Sequence, residues 1–242
     1  MAENPFYEHI YSEIVHLRSS DSERQFNVHK AVLESKCKVI HSALSKGFSE
    51  FKEGVYTCTD TTHDTLALAV EWMYTGSYTM AAHMPLEART GQPVGTEQGV
   101  NPSNLSELAE EMKSDPIIAH LRLYTFSDLY LMTDLNILAY NRLAHHLANV
   151  DRTTKRGETQ RAIIAMLHLA FSKIKPGDKF LNWLAHFASW NLEVLLSQTL
   201  FNDLLADVPA LGSLMMTSLS PATSSPWGSR KAKRVKLHQG VD

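Results

Sequence analysis

Residues 26–33, Phe26-Asn27-Val28-His29-Lys30-Ala31-Val32-Leu33, decide the fold of this chain, because a strand pattern changes there into a helix pattern. Phe26 and Val28 alternate with polar residues, which is typical of a half-buried strand. From Lys30 to Lys46 apolar residues recur at helical spacing. This predicts a helix, or two short helices with a break near Ser35.

Three neighbouring segments extend this pattern into an α+β fold. Residues 14–17 predict the partner strand of a hairpin, and residues 55–58, which are β-branched and aromatic, predict a third strand. Residues 61–64 have the spacing of a helix N-terminus, and the helix they begin should end at Gly76. We expect a small three-stranded sheet packed on a cluster of short helices.

Residues 79–115 differ in character, because they hold scattered charges and four Gly or Pro residues between positions 91 and 99. They predict a mobile surface insertion with one short helix at about 105–113. Asp115-Pro116 then predicts a helix N-terminus, with proline at the first helical position, and Thr133 predicts the start of another helix.

The C-terminal third of the chain predicts helices and then a tail. Helical periodicity continues over residues 159–172, 178–190 and 191–206, so we expect an all-helical extension over 159–216. In residues 218–229, nine of twelve are Ser, Thr, Pro or Gly, a composition that cannot bury enough apolar surface to fold. Residues 217–242 are therefore predicted to be a disordered tail.

The composition excludes several protein classes. Apolar stretches are interrupted every few positions, so none approaches the roughly 18 apolar residues of a membrane helix. The first residues are acidic, so a secretory signal is not expected. Cys37 and Cys58 are too few for a disulfide framework in 242 residues, and we expect both to be buried thiols.

Enzyme signatures are also missing from the sequence. It contains no phosphate-binding glycine loop, nucleophile elbow, His-Glu-x-x-His or paired Cys-x-x-Cys motif. His145 and His146 are adjacent and would point to different helix faces, so they cannot easily share one metal ion. We therefore expect a protein that is not an enzyme, with no catalytic residue, cofactor or metal.

Five blocks of sequence, in this order and spacing, resemble the BTB/POZ domain family in the form common in fungal proteins. The blocks are Ser12-Glu13-Ile14-Val15, residues 26–33, Gly47-Phe48-Ser49-Glu50, Trp72-Met73-Tyr74-Thr75-Gly76-Ser77-Tyr78, and residues 123–132 followed by Leu135 and Leu138. The resemblance implies a BTB/POZ-like domain over residues 12–148, preceded by a short lead over 1–11. Family members that form exchanged dimers tend to have a long helix before the first strand, so monomer and homodimer both remain open.

The resemblance also implies two candidate contact sites. Members of the family often pair an acid of the first strand with a base after the histidine, and here these residues would be Glu13 and Lys30. The usual acid is Asp, and a plain surface ion pair is the alternative. Phe48 and Glu50 resemble the hydrophobic-x-Glu motif with which some BTB proteins bind a cullin of the third type. Phe48 could instead cover the core, and Phe51 could take over its contact.

The basic tail suggests a location within the cell. Residues 220–242 carry a net charge of +4, so the near-neutral total of −3 leaves −7 for residues 1–219. The cluster resembles a monopartite nuclear-localisation signal and would bind importin; its residues are Arg230, Lys231, Lys233, Arg234 and Lys236. A solvated basic end with weak attraction to nucleic acid is the alternative.

The sequence therefore predicts a non-catalytic protein–protein interaction module, found in the nucleus with a cytoplasmic pool. Its first candidate role is a substrate adaptor of a cullin-based ubiquitin ligase. The alternative is a transcription or chromatin regulator that acts through BTB-mediated self-association. No module that could read a nucleic-acid sequence is evident, and no contact with a membrane is expected.

Overall fold

A three-stranded mixed sheet forms the N-terminal part of the protein. The structure is a computed structural model and describes residues 11–45, 53–80, 104–150 and 157–219. The strands are β1 (Ile14–Ser19), β2 (Gln25–His29) and β3 (Val55–Cys58), in the order β2-β1-β3. β1 is antiparallel to β2 and parallel to β3, so the predicted hairpin and third strand are confirmed.

The described residues of this part also form three helices. They are α1 (Lys30–Lys36), α2 (Lys38–Ala43) and α3 (His63–Thr75), and the break between α1 and α2 falls at Cys37. Thr62 begins α3, where its side chain accepts a hydrogen bond from the N–H of Thr65. Gly76 ends α3 with a φ of +72°, a left-handed conformation that favours glycine. Both ends of α3 therefore lie where the sequence predicts them.

The middle helices are α4 (Leu105–Glu111), α5 (Pro116–Leu129) and α6 (Thr133–Ala148). The Asp115 side chain accepts from the N–H of Ile117, which confirms the predicted start of α5. The prediction of a surface insertion is wrong for α4, because Leu105, Leu108 and Ala109 are buried. Apolar side chains on one face of this short helix pack on the helical extension. Residues 81–103 of the predicted insertion lie outside the described residues.

The helical extension comprises five helices: α7 (Gly157–Lys173), α8 (Lys179–Trp190), α9 (Leu192–Leu195), α10 (Thr199–Asp207) and α11 (Pro209–Ser218). The single helix predicted over 191–206 is instead divided by a turn at residues 196–198. Pro209 begins α11. A proline fits there because its fixed φ suits the first turn of a helix and no intrahelical N–H is needed.

One continuous core runs from the sheet into the extension. Leu17 of β1, Leu121 of α5 and Leu184 of α8 are all fully buried in it. Phe180 of α8 packs against Tyr124 of α5, with the ring centroids 4.7 Å apart. Burial of each large apolar side chain contributes about 1.5–3 kcal/mol, so the extension is held by its side chains and not by its connection alone. None of the described helices is both long and apolar enough to cross a bilayer.

Candidate partner-binding sites

Glu13 and Lys30 form an ion pair at the start of the sheet. The Lys30 Nζ lies 2.9 Å from the Glu13 Oε2, and the backbone N–H of Lys30 donates to the Glu13 carbonyl at 2.8 Å. Glu13 is two-thirds exposed, whereas Lys30 is only 24% exposed. The pair therefore lies at the surface, where its net contribution to stability is about 0.2–1 kcal/mol.

The backbone around this pair is held in place by α3. The Tyr74 hydroxyl accepts the N–H of His29 at 2.9 Å and lies 2.8 Å from its Nδ1. The Ser12 hydroxyl accepts the N–H of Ala31 at 3.2 Å. These contacts fix the transition from β2 to α1. The structure thus brings together the two residues that the resemblance paired, although their use by a partner stays a prediction.

An exposed apolar patch lies beside this charged pair. We call it the β1 patch, and it consists of Tyr11, Ile14 and Tyr74, whose exposed fractions are 84%, 52% and 46%. Ile14 lies opposite His29 in the β1–β2 register, and Tyr74 bonds to the same histidine. The patch is therefore formed by two segments that the sequence separates by about 60 residues.

The predicted cullin contact, with Phe48, Glu50 and Phe51, lies outside the described residues. Its flanks are described: Leu44 after α2 is buried, and Gly54 comes directly before β3. The carbonyl of Gly54 accepts the N–H of His16 at 2.9 Å. The segment therefore joins two fixed points of the core. The predicted nuclear-localisation residues, Arg230 to Lys236, also lie outside the described part of the chain.

The thiols and histidines offer no reactive cluster within the described ranges. Burial raises the pKa of the Cys58 thiol to about 11, against a weaker lowering effect of a hydrogen bond with Tyr130. Burial raises the pKa of Cys37 as well. Both thiols therefore stay protonated at neutral pH and are poor nucleophiles. No three His, Cys, Asp or Glu side chains of these ranges converge in a way that could hold a metal ion.

Two polar side chains between the sheet domain and later helices were not predicted from the sequence. Arg122 of α5 lines a cavity, and Arg142 of α6 binds residues 77 and 78. One signal for Arg122 was present, since it stands between Leu121 and Leu123 in a helix that is apolar on nearly every face. A cation in such a helix must find a polar site within the fold.

A groove with aromatic walls lies between α6 and α8. It has a volume of about 450 Å³, and its apolar lining consists of Tyr124, Ile137, Tyr140, Phe180 and Trp183. Ile137 is half exposed at its edge. The sequence indicated only that the helical extension has more large apolar side chains than one helix face needs.

Part of the chain matches a known protein family. The family model for the BTB/POZ domain matches residues 8–88, about a third of the chain, which include the whole sheet, α1, α2 and α3. No curated protein matches the chain. The matched domain is a protein–protein interaction module, and the sheet packed on short helices agrees with its fold. Residues 8–88 thus match a BTB/POZ domain, and the described helices after it form a helical extension.

Proposed function

We propose that this protein is an adaptor that binds a cullin-based ubiquitin ligase through its BTB/POZ domain and a second protein through another surface. The observation that carries this proposal is the continuous core between the sheet and the helical extension. An adaptor must hold two partners in a fixed relation, and a shared core provides that fixed relation.

Polar contacts reinforce the attachment of the extension. Arg161 of α7 lies 2.6 Å from the carboxylate of Glu111 in α4. Lys173, at the end of α7, lies 3.7 Å from Asp60, which follows β3. Each exposed pair contributes little to stability, so the shared apolar core remains the main attachment of the extension.

The Phe48-Ser49-Glu50 motif supports the cullin half of the proposal. An apolar side chain that enters a partner's pocket and an acid that accepts a charge-assisted hydrogen bond at its edge are a common pairing at interfaces. The motif lies between α2 and β3, two elements that pack on the sheet core.

Purified full-length protein should therefore form a complex with the third type of cullin in size-exclusion chromatography. The double variant Phe48→Ala with Glu50→Ala should abolish the complex, and Phe51→Ala should weaken it if Phe51 shares the contact. Glu53→Ala, which removes an exposed acid just before Gly54, is the matched control and should bind normally. Binding that survives the double variant would overturn the proposed contact.

The second candidate is a transcription or chromatin regulator that acts through self-association. The β1 patch favours it, because three large exposed side chains near the Glu13–Lys30 pair suit contact with a second copy. Light scattering at tens of micromolar should then report a dimer. Ile14→Lys should dissociate it, whereas Ile137→Lys should not, since both isoleucines are about half exposed but lie on different elements. A monomer at every concentration would remove this candidate.

We also propose that the basic tail directs the protein to the nucleus through importin, with a pool left in the cytoplasm. Its five basic residues within seven positions support this assignment. Lys233→Ala with Arg234→Ala in a fluorescent fusion should shift the signal to the cytoplasm. Arg24→Ala with Lys175→Ala removes the same charge from exposed sites of the folded part and should leave the distribution unchanged. An unaltered nuclear signal in the tail variant would contradict the proposal.

A further inference from the structure

A polar cavity of about 330 Å³ lies where the BTB/POZ domain meets the helical extension. Its wall is formed by the turn after β1, the loop between β3 and α3, one face of α5, and Leu169 and Lys173 of α7. Its volume is about ten times the 30 Å³ share of one liquid water molecule. The cavity therefore has room for a side chain of another protein, and α7 supplies Leu169 and Lys173 to its wall.

Arg122 is the most buried charge in this wall. Its side chain is 18% exposed, and its nearest carboxylate oxygen is that of Glu110, at 3.8 Å. None of its five N–H groups makes a hydrogen bond to any residue that the structure describes. A guanidinium removed from water without hydrogen bonds is costly. Burial accordingly lowers the pKa of Arg122, against the raising effects of Glu110, Asp64 and Asp21.

The two acids in the wall already have partners. The carboxylate oxygens of Asp21 lie 3.0 and 3.3 Å from the N–H of His63, so its charge is stabilised by the start of α3. Asp60 lies 3.7 Å from the Lys173 ammonium. Neither acid accepts a hydrogen bond from Arg122. The guanidinium is thus the most buried cation of this cavity, and its donors are unused within the described residues.

A hydroxyl donor lies in the same wall. Thr61 is 8% exposed, and its hydroxyl makes no hydrogen bond within the described residues. The hydroxyls of Ser20 and Thr125 donate to the carbonyls of Thr59 and Arg122, at 2.7 and 2.9 Å. These carbonyls are therefore satisfied, and the free donors that remain favour an occupant that accepts hydrogen bonds.

We propose that this cavity binds an anionic oxygen group, a carboxylate or phosphoryl group on a side chain of a partner protein, with Arg122 as its main ligand. Arginine suits this task because its planar fork can donate two parallel hydrogen bonds to such a group. The proposal uses the proposed adaptor role only to name a protein as the source of the anion. The binding itself needs no cullin.

The test is a titration of the full-length protein with inorganic phosphate and, separately, with succinate, followed by NMR of the Arg122 Nε–Hε signal. Sodium chloride at equal ionic strength is the reference. We expect a saturable shift of this signal with at least one of the two anions, and the anion that binds more tightly identifies the source as phosphoryl or carboxylate. If neither anion shifts the signal at concentrations up to about 50 mM, the site has no useful affinity for anions and the proposal is overturned.

Three variants separate the site from general electrostatics and from misfolding. Arg122→Gln should weaken anion binding by about tenfold or more, the loss expected for charge-assisted hydrogen bonds, measured by the stabilisation that the anion gives against urea. Arg24→Gln removes an equal charge from an exposed turn and should bind normally. Thr125→Leu keeps the guanidinium and fills the cavity, so it should also lose binding. Equal binding by all three variants and the parent would overturn the assignment of the site.

Discussion

Arg142 binds Tyr78 in two ways. Its Nη1 donates to the backbone carbonyl of Tyr78, and its guanidinium carbon lies 4.1 Å from the centre of the Tyr78 ring. Its Nη2 donates to the Ser77 hydroxyl at 2.8 Å. Residues 77 and 78 follow the end of α3, whereas Arg142 belongs to α6. One side chain therefore joins the end of the α3 segment to the later helix pair.

Replacing Arg142 with methionine should lower the free energy of unfolding by about 2–4 kcal/mol, because charge-assisted hydrogen bonds and a cation–π contact are lost together. Arg142→Lys should lower the free energy of unfolding by about half as much, since lysine keeps the charge but cannot donate to both acceptors in the same geometry. Urea unfolding followed by circular dichroism measures both. Arg24→Met is the control at an exposed site. If Arg142→Met lowers the free energy of unfolding by an amount within about 0.5 kcal/mol of the control, the interpretation is contradicted.

His120 should make the stability depend on pH. Burial, and then the nearby His146 and Arg142, lower its pKa from 6.5 to about 4. Between these values the unfolded chain binds a proton that the folded protein does not. Stability should therefore fall as the pH falls from about 6.5 to about 4, by on the order of 3 kcal/mol at most.

The Tyr78 hydroxyl can donate a hydrogen bond to the neutral form of this histidine. It lies 2.9 Å from the His120 Nδ1, and burial raises the pKa of Tyr78 to about 12, so it remains a donor. In urea unfolding at pH 7 and pH 5, His120→Gln should lose this part of the pH dependence. His145→Gln, on the exposed face of α6, should keep it. If the free energy of unfolding depends on pH in the same way for the parent and for His120→Gln, His120 is not the source of this pH dependence.

Local signals account for what the sequence predicted correctly. A helix cap depends on residues within four positions of each other, so the caps at Thr62, Gly76 and Asp115 are visible in the sequence. Trp72 and Tyr78, which belong to one of the blocks that resemble the family, are both buried beside the end of α3. The alternating and β-branched patterns predict the three strands, whereas their order in the sheet, β2-β1-β3, is seen only in the structure.

Long-range contacts account for what the sequence could not predict. Arg142 and Tyr78 are 64 positions apart, and nothing near either residue indicates the other. The burial of α4 depends on the position of α7, which packs on it from 50 positions away, as the Arg161–Glu111 pair shows. For the candidate site, the Glu13–Lys30 pair followed from the resemblance, whereas the β1 patch and the Arg122 cavity require the folded structure.

Phe180 should be critical for attachment of the extension. It is 3% exposed and packs against Tyr124, Tyr140 and Trp183. Phe180→Ala should lower the free energy of unfolding by about 3–5 kcal/mol. Phe187 lies further along α8 and is only partly buried, so Phe187→Ala should lower the free energy of unfolding by less.

Both phenylalanine variants should still unfold in one transition, because the sheet and the extension share a core. Circular dichroism and tryptophan fluorescence should give the same midpoint in urea. Two separate transitions for Phe180→Ala would show that the extension is an independent unit, and the argument for a fixed adaptor geometry would then fail.

Replacing either of two exposed leucines at the turn between α5 and α6 with glycine should change the free energy of unfolding in opposite directions. Leu131 has a φ of +55° and is 77% exposed, so Leu131→Gly relieves a strain of about 1–2 kcal/mol at little loss of packing. Glycine also raises the entropy of the unfolded chain, which leaves a net gain of about 0.5–1 kcal/mol. Leu129, at the end of α5 and 57% exposed, is the control, and Leu129→Gly should lose about 1 kcal/mol. Urea unfolding of both variants measures the contrast, and an equal loss in both would show that Leu131 is not strained.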